Sequence, residues 1–482
     1  MYNEKGEYHF EGYLLAGKEQ KLFIIGCDKR GIMFGIYDLC RQIGVSPWHF
    51  FADVPVKMKE YWEVPAKYRH LQYPLVKFRG VFINDEEELE NWSKIHTADN
   101  TIGPETYRHI FDLLLRLRVN YIWPAMHVNY FNENPGNRRL AHEMGIIVGT
   151  CHCNMLMRSN HNEWKPWLAS KGYSAQEIAY DYSIEGFNRG MIREYWDQGV
   201  KMYQDYEVSY TVGMRGIHDS GFTTQMIDGD RKLSEDERFT AKSRLLRQVI
   251  DDQRAILSNR LKKPVEDIPP IFVPYKEVLE YYDHGLEIPE DITIIWTNDN
   301  YGYVRRYPEQ KESRRRGGHG LYYHSSYWEA TNMHYLFISY TPLARMKNEL
   351  RKSWDNGIRK LWVLNIGSIK PLEQDIEFYT RYAWEVGREK TTEDIEEFLV
   401  DWIDLEFTSK IGKCVGKLRN QFTQVVNVRK IELLERNVFS QICFGDEGAM
   451  HLAKLKNIFD EVNEIADSLL MLEREAFFSL CR

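Results

Sequence analysis

From residue 78 to residue 387, short apolar runs alternate with longer stretches in which apolar residues recur at helical spacing. A short apolar run between turn residues is typical of a buried strand, and apolar residues at every third or fourth position are typical of a helix. The eight predicted strands are 78–85, 121–126, 146–152, 208–216, 270–275, 291–299, 320–327 and 360–367. The helices predicted after seven of them are 104–119, 137–145, 187–206, 235–258, 276–285, 342–355 and 376–387. Only a shorter, basic connection follows the sixth strand.

This alternation predicts an α/β fold with a parallel sheet, because a helix between two strands carries the chain back to the same end of the sheet. Eight is the strand count at which such a sheet closes into a (β/α)₈ TIM barrel. We therefore predict a barrel over residues 76–389. An open, doubly wound sheet with helices on both faces is the alternative.

The regions on either side of the barrel have different patterns. Residues 1–75 contain one predicted strand, 21–27, and one predicted helix, 28–44, which we interpret as the remnant of an N-terminal α/β domain. Such a unit cannot bury its faces alone, so it either packs on the barrel or lacks partners that belong to a longer protein. Residues 390–482 repeat apolar positions at helical spacing and predict a partial helical bundle.

Composition limits the classes of partner. The chain has 482 residues and a net charge of −8, and its one dense basic cluster, at 314–316, is typical of a solvated loop. We expect no nucleic-acid partner. No apolar run reaches the roughly 20 residues of a membrane span, and no signal peptide is visible, so we expect no membrane partner and a cytoplasmic location, unless the true N-terminus is missing. Seven scattered cysteines do not suggest a disulfide framework.

Polar residues follow nearly every predicted strand, where a barrel of this kind builds its active site. We expect four carboxylates to converge there: Asp85, Asp219, Glu277 and Asp299. Two such groups, one acid and one base or nucleophile, are what glycoside hydrolysis requires. The planar guanidinium of Arg215 suits a carboxylate ligand, and the Trp123 ring could stack on a sugar.

Each of these residues also has a structural interpretation. Asp85 could cap a loop, Glu277 could be a first-turn acid of a helix, and Asp219 could pair with Arg215. His152 could be a core histidine or a metal ligand. Because Cys151, His152 and Cys153 would alternate faces on a strand, they do not form a zinc site together, and we expect no metal and no cofactor.

At these positions the sequence resembles glycoside hydrolase family 115, the α-1,2-glucuronidases that act on glucuronoxylan. The resemblance implies an N-terminal α/β domain, a central barrel, a helical domain and a C-terminal β-sandwich, an inverting mechanism, and a possible homodimer. The chain would then be cut short at both ends. The stretches that carry it are 28–55, FRGVFINDEEE (78–88), 113–126, GIIVGTCH (145–152), YTVGMRG (210–216), 275–306, GGHGLYYHSSY (317–327) and 361–373.

The resemblance also implies roles for individual residues. Asp85, Asp219 and Glu277 match the candidate catalytic carboxylates, with Glu277 as general acid and Asp219 or Asp85 as the base that activates water. The positions that match residues binding the uronate or assisting catalysis are Asn84, His152, Arg215, Asn298, Asn300, His324 and Tyr327. The expected partner is glucuronoxylan or its oligosaccharides.

The sequence departs from the family pattern at three places. Cys153 and Asn154 replace a His and a Glu, residues 217–221 differ from the usual acidic and glycine residues, and Asn298 replaces an acid. These departures keep two alternatives open. One is a non-catalytic or inactive carbohydrate-binding homologue, and the other is a metal-dependent barrel lyase or isomerase acting on sugar acids.

Overall fold

The protein is described here from a computed structural model. It describes residues 8–52, 54, 61–84, 87–325, 339, 341–387, 395–407, 409–429, 434 and 438–481. None of the described helices is both long and apolar enough to cross a membrane.

Eight parallel strands form one curled sheet, which confirms the predicted α/β barrel. In chain order they are β4 (Phe78–Phe82), β5 (Tyr121–Trp123), β6 (Ile147–Val148), β7 (Thr211–Val212), β8 (Ile271–Phe272), β9 (Thr293–Thr297), β10 (His319–His324) and β11 (Ile358–Asn365). The order across the sheet is β6-β5-β4-β11-β10-β9-β8-β7. Apart from β6 and β7, strands that are neighbours in sequence pair with each other, and the last strand, β11, pairs with the first, β4.

The two ends of this sheet, β6 and β7, meet at a narrow seam. A parallel bridge joins Val148 to Val208, and the Ser209 N–H donates to the Val148 carbonyl at 3.0 Å. These contacts complete the ring of strands. The open doubly wound sheet is therefore excluded.

The strands are buried on both faces, as expected for a parallel sheet enclosed by helices. Alternate residues point into the barrel and pack there as one apolar cluster, while their neighbours pack against the helices in a second, larger cluster. The interior cluster contains Phe82, Tyr121, Trp123, Ile147, Cys151, Ile271, Val273, Tyr275, Ile295, Tyr322, Leu361 and Val363. The barrel is consequently a filled core and not a pore.

A helix follows each of the seven strands for which the sequence predicts one, and three further helices, 87–96, 164–170 and 225–228, were not predicted. They are α2 (Glu87–His96) and α3 (Pro104–Arg116) after β4, α4 (Pro135–Met144) after β5, α5 (Trp164–Ser170) and α6 (Phe187–Tyr203) after β6, α7 (Gln225–Asp228) and α8 (Glu235–Leu261) after β7, α9 (Glu277–Asp283) after β8, α10 (Leu343–Asp355) after β10 and α11 (Glu373–Glu385) after β11. The described connection between β9 and β10 contains no helix, which confirms that this crossover is irregular.

The N-terminal segment contains more structure than the predicted strand and helix. The predicted pair is present as β2 (Lys21–Gly26) and α1 (Lys29–Gln42), and two further strands, β1 (Tyr13–Lys18) and β3 (Arg69–Gln72), complete an antiparallel sheet in the order β2-β1-β3. β1 and β3 were not predicted from the sequence. This segment is tied to the barrel by a buried ion pair between Glu11 and Arg79, at 2.6 Å.

The C-terminal region is helical, as predicted. Its described helices are α12 (Ile395–Glu406), α13 (Gly412–Val426), α14 (Glu447–Ser468) and α15 (Met471–Cys481). The α12 helix buries Phe398, Leu399, Trp402 and Ile403, and Phe398 packs edge-on against Phe378 of α11. The helical region therefore rests on the last helix of the barrel.

Candidate active site

Three of the predicted site residues meet at the carboxyl end of the barrel. Arg215 lies in the loop after β7, and its side chain is only 3% exposed. Glu277 opens α9 directly after β8, and Asp219 lies in a short turn, 217–219, four residues beyond Arg215. Neighbouring strands bring these loops together, because the carboxyl ends of parallel strands share one rim.

Arg215 and Glu277 form a bidentate pair. The Nε and Nη2 atoms of Arg215 donate to the two carboxylate oxygens of Glu277 at 3.0 and 2.8 Å. The backbone N–H of Phe222 donates to the same carboxylate at 2.9 Å. Two parallel N–H···O bonds fix both planar groups in one plane, so Glu277 has a defined orientation rather than that of a loose first-turn acid.

Asp219 contacts the same guanidinium from another direction. Its Oδ1 pairs with Nη1 of Arg215, lies 3.1 Å from Nε2 of His152, and accepts from the Cys153 thiol at 3.4 Å. Its Oδ2 lies 3.6 Å from the Lys276 ammonium. Asp219 is nevertheless 37% exposed on its side chain, so part of this carboxylate is open to solvent and to a ligand.

His152 is neutral in this setting. Burial lowers the pKa of His152 to about 3, and the positive charges of Arg215 and Lys276 contribute to that decrease. Because a carboxylate can only accept, the Nε2–H of His152 donates to Asp219, which fixes the tautomer. The other ring nitrogen, Nδ1, is buried and has no hydrogen-bond partner among the described residues.

Asn298 and His324 form a second buried pair at the rim. The Asn298 carbonyl accepts from the His324 backbone N–H at 2.9 Å and from its Nδ1 at 2.7 Å, while the Asn298 amide donates to the His324 carbonyl at 3.3 Å. Burial holds the pKa of His324 well below its usual range. His324 is therefore a neutral imidazole with its proton on Nδ1.

The backbone is strained at the residues that position the carboxylates. His218 and Asp219 have φ values of +55° and +58°, and Lys276, directly before Glu277, has φ +49° with ψ −121°. Positive φ is unusual for residues with a β-carbon and persists only where surrounding contacts enforce it. Such strain is frequent at active sites because it aims a side chain that a regular turn would direct elsewhere.

Two further predicted residues lie in loops that follow strands of the barrel. Asn84 follows β4 and is half-buried, with its N–H donating to the Gly367 carbonyl at 3.2 Å. Asn300 is half-buried in the turn after β9. Asp85 and Tyr327 lie outside the described residues, so their predicted roles stay predictions.

Two residues take roles that differ from the sequence prediction. Trp123 is fully buried inside the barrel, where Phe82 and Tyr322 pack against it and its indole N–H donates to Tyr121 at 3.0 Å. Its ring is part of the core and offers no open face to a sugar. Asp299 accepts from the backbone N–H groups of Tyr301 and Tyr303 at 2.9 and 3.0 Å and stabilises a turn instead of joining the carboxylate centre.

Tyr275 was not predicted from the sequence, and its ring contacts several site residues. Its ring lies 4.1 Å from that of His152 between centroids and 5.5 Å from the Arg215 guanidinium carbon. Tyr275 is the last residue of the apolar run before Lys276, and an aromatic residue there is indistinguishable from a core residue by pattern alone. Its ring provides an apolar surface against which His152 and Arg215 pack.

A cluster of three histidines at the same rim was also missed. His127, His161 and His218 each offer a ring nitrogen within 4.8 Å of the others. Burial, aided by the neighbouring imidazoles of His218 and His161, lowers the pKa of His127 to about 4. These residues are far apart in sequence, so no motif spacing links them.

Comparison with known proteins shows similarity to one family of glycosyl hydrolases. The sequence model of glycosyl hydrolase family 115 matches residues 71–433. A search of curated proteins found no match. Among solved structures, the chain is similar to BtGH115A, a family GH115 4-O-methyl-α-glucuronidase with specificity for decorated arabinogalactans, at 33% sequence identity and a TM-score of 0.85. The match covers 98% of this chain and 61% of that protein, so this chain spans less than two thirds of its solved relative.

Proposed function

Because the chain belongs to glycosyl hydrolase family 115, we propose that it carries the catalytic centre of an α-glucuronidase. The substrate we propose is glucuronoxylan or its oligosaccharides, from which the enzyme removes α-1,2-linked glucuronic or 4-O-methylglucuronic acid. One observation carries this proposal: a buried guanidinium, Arg215, lies between two carboxylates, Glu277 and Asp219, at the carboxyl end of the barrel. Glycoside hydrolysis uses a pair of carboxyl groups, and a guanidinium suits the carboxylate of a uronic acid.

In the proposed reaction, Arg215 exchanges partners. Without substrate, its donors are used by Glu277 and Asp219. The carboxylate of a bound uronate competes for the same planar fork, and its arrival loosens the bidentate pair with Glu277. Substrate binding thus frees the Glu277 carboxyl group from the guanidinium, so that it can face the glycosidic oxygen.

The bond changes follow from an inverting mechanism. Glu277 gives its proton to the glycosidic oxygen while the bond from that oxygen to the anomeric carbon breaks. Water attacks the anomeric carbon from the opposite face, and Asp219 or Asp85 accepts the proton that the water loses. The neutral His152 donates a hydrogen bond to Asp219 and holds it in position. The products are β-glucuronate and the freed sugar hydroxyl.

The proposal is tested by following the hydrolysis of a 4-O-methylglucuronoxylo-oligosaccharide with proton NMR. The β-anomer should be released first, and Glu277→Gln and Asp219→Asn should each lower kcat by about 100-fold or more. Glu280→Gln is the matched control, because Glu280 lies on the same helix and is exposed. First release of the α-anomer would exclude inversion, and near-normal turnover in Glu277→Gln would exclude Glu277 as the acid.

A second candidate function is sugar-acid binding without hydrolysis. Two observations favour it. Both carboxylates form ion pairs with the same guanidinium, and Cys153 and Asn154 stand where the family pattern has a His and a Glu. Calorimetry with glucuronate separates the two, because a binding protein gives heat of binding but no reducing sugar from any polymer. The same assay should include decorated arabinogalactan, the polysaccharide class named for BtGH115A.

A further inference from the structure

Three consecutive loops of the barrel each bring one histidine to the same point on the rim. His127 follows β5, His161 follows β6, and His218 follows β7. One nitrogen of each ring lies within 4.8 Å of the other two, and the Nε2 atoms of His127 and His218 are 2.7 Å apart. The ring centroids are 3.8 Å apart for His127 and His218, 4.9 Å for His127 and His161, and 4.7 Å for His161 and His218.

Polar side chains on either side of His161 hold these loops together. The buried Asn160 amide donates to the Gly216 carbonyl at 3.0 Å, and its oxygen accepts from the His218 N–H at 3.3 Å. On the other side, the Asn162 amide donates to the His127 carbonyl. The loop after β6 is thereby joined to the loops after β5 and β7, so the positions of the three rings do not depend on three independent chain segments.

We propose that His127, His161 and His218 bind one divalent transition-metal cation, with Zn²⁺ as the probe. Imidazole nitrogen is a preferred ligand of Zn²⁺, Ni²⁺ and Cu²⁺, and three protein ligands leave a fourth position for water or another ligand. At a Zn–N distance of about 2.0–2.1 Å, tetrahedral ligand nitrogens lie roughly 3.4 Å apart. That spacing lies between the 2.7 Å that separates the Nε2 atoms of His127 and His218 and the 4.8 Å within which all three nitrogens lie, so small ring rotations suffice.

The surroundings also permit a cation to enter. His161 and His218 are exposed, whereas His127 is half-buried, so the site opens to solvent on one side. The site is distinct from the Cys151-His152-Cys153 segment, in which His152 and Cys153 contact Asp219. A cation held by His218 would restrain the turn that also carries Asp219 at the next position. The expected role is therefore to position Asp219, with no part in bond breaking.

Equilibrium dialysis of the chelator-treated protein against Zn²⁺ tests the proposal. We expect one Zn²⁺ per chain, and a decrease in affinity of about 100-fold or more for His161→Ala and for His127→Ala, since even residues that only orient a ligand contribute about 10- to 100-fold. His142→Ala is the matched control, because His142 is an exposed histidine on α4. Unchanged affinity in His161→Ala would overturn the proposal. Loss of the bound Zn²⁺ in Cys153→Ser, together with its retention in His161→Ala, would also overturn the proposal.

Co²⁺ substitution in the unaltered protein provides a readout that needs no variant. Nitrogen and water ligands should give the visible bands of four- or five-coordinate Co²⁺ without a thiolate-to-cobalt charge-transfer band. Circular dichroism of each variant confirms that it is folded before its affinity is interpreted. An intense thiolate band would place the metal on the cysteines and refute the three-histidine site.

Discussion

Asn298 determines which nitrogen of His324 carries the proton. Its carbonyl oxygen can only accept, and it accepts from both the backbone N–H and the Nδ1–H of His324. An aspartate at this position would present a negative charge to the same Nδ1 and favour the imidazolium. Asn298 adds no charge beside Nδ1, so His324 stays neutral in this chain.

We therefore predict that Asn298→Asp raises the pKa of His324, which burial holds well below its usual range. The physical reason is an anion 2.7 Å from Nδ1 in place of a neutral carbonyl. NMR titration of the histidine ring protons measures the change. Asn298→Ala is the control, since it removes the hydrogen bond without adding charge. Equal His324 titration in the two variants would contradict the prediction.

At the scale of single elements, the first turns of α11 hold several buried acids. Glu373 and Asp375 are each only 2% exposed. Burial raises the pKa of Glu373 to about 7 and that of Asp375 to about 6. A carboxyl group whose pKa is higher in the folded than in the unfolded protein destabilises the fold as pH rises. For Glu373 this cost begins near the unfolded pKa of about 4.3 and is complete above about pH 7.

Glu373→Gln should accordingly stabilise the protein at pH 8 relative to pH 5. The gain at pH 8 should be roughly 2–3 kcal/mol, because glutamine has no charge to desolvate. Urea unfolding of the variant and the parent at both pH values measures it. Glu143→Gln, at an exposed glutamate of α4, serves as control and should show no comparable pH dependence. An equal effect of Glu373→Gln at pH 5 and pH 8 would refute the assignment.

The order and type of the elements were largely predictable from sequence, but their lengths were not. The eight strands were found because each is apolar on both faces, yet β6 and β7 contain only two residues each where seven and nine were predicted. Apolar runs continue beyond the ladder into loop residues such as Val273 and Tyr275, which fill the barrel interior without pairing. β1 and β3 were missed because they pair across the chain, Tyr13 with Gln72, and neither has a strong local pattern.

The centre of the site was predictable for a different reason. Arg215, Asp219 and Glu277 lie at strand ends, and a barrel brings all strand ends of one direction to one rim. The three histidines could not be found this way. His127 and His218 are 91 positions apart, and no sequence pattern predicts the left-handed backbone of His218 or the hydrogen bond from its N–H to Asn160.

At the scale of the whole molecule, Glu377 of α11 joins the three parts of the chain. Its Oε2 accepts from the indole N–H of Trp48 at 2.7 Å and from that of Trp402 at 2.8 Å. Its Oε1 pairs with Arg41 and Arg381. One fully buried carboxylate thus connects the N-terminal segment, the barrel and the C-terminal helices.

Glu377→Ala is expected to destabilise the protein by about 3–5 kcal/mol, because it leaves two guanidinium groups and two indole donors without their common acceptor. Thermal and urea unfolding followed by tryptophan fluorescence measure the loss, since Trp48 and Trp402 report directly. Glu143→Ala is the control for removing a glutamate at an exposed helical position. A decrease below about 1 kcal/mol would mean that apolar packing alone holds the three parts together.

The seam between β6 and β7 is bridged by residues of the candidate active site. Elsewhere the barrel wall is joined by ladders of paired residues, but here the described strands meet through the Val148–Val208 bridge. Above that bridge, the contact between His152 and Asp219 and the bond from Asn160 to Gly216 run from one side of the gap to the other. These side-chain contacts thus connect the two edges of the sheet where it has the fewest backbone hydrogen bonds. A sugar acid or a cation bound by residues on both edges would add further connections, so binding at the rim should make the barrel more rigid.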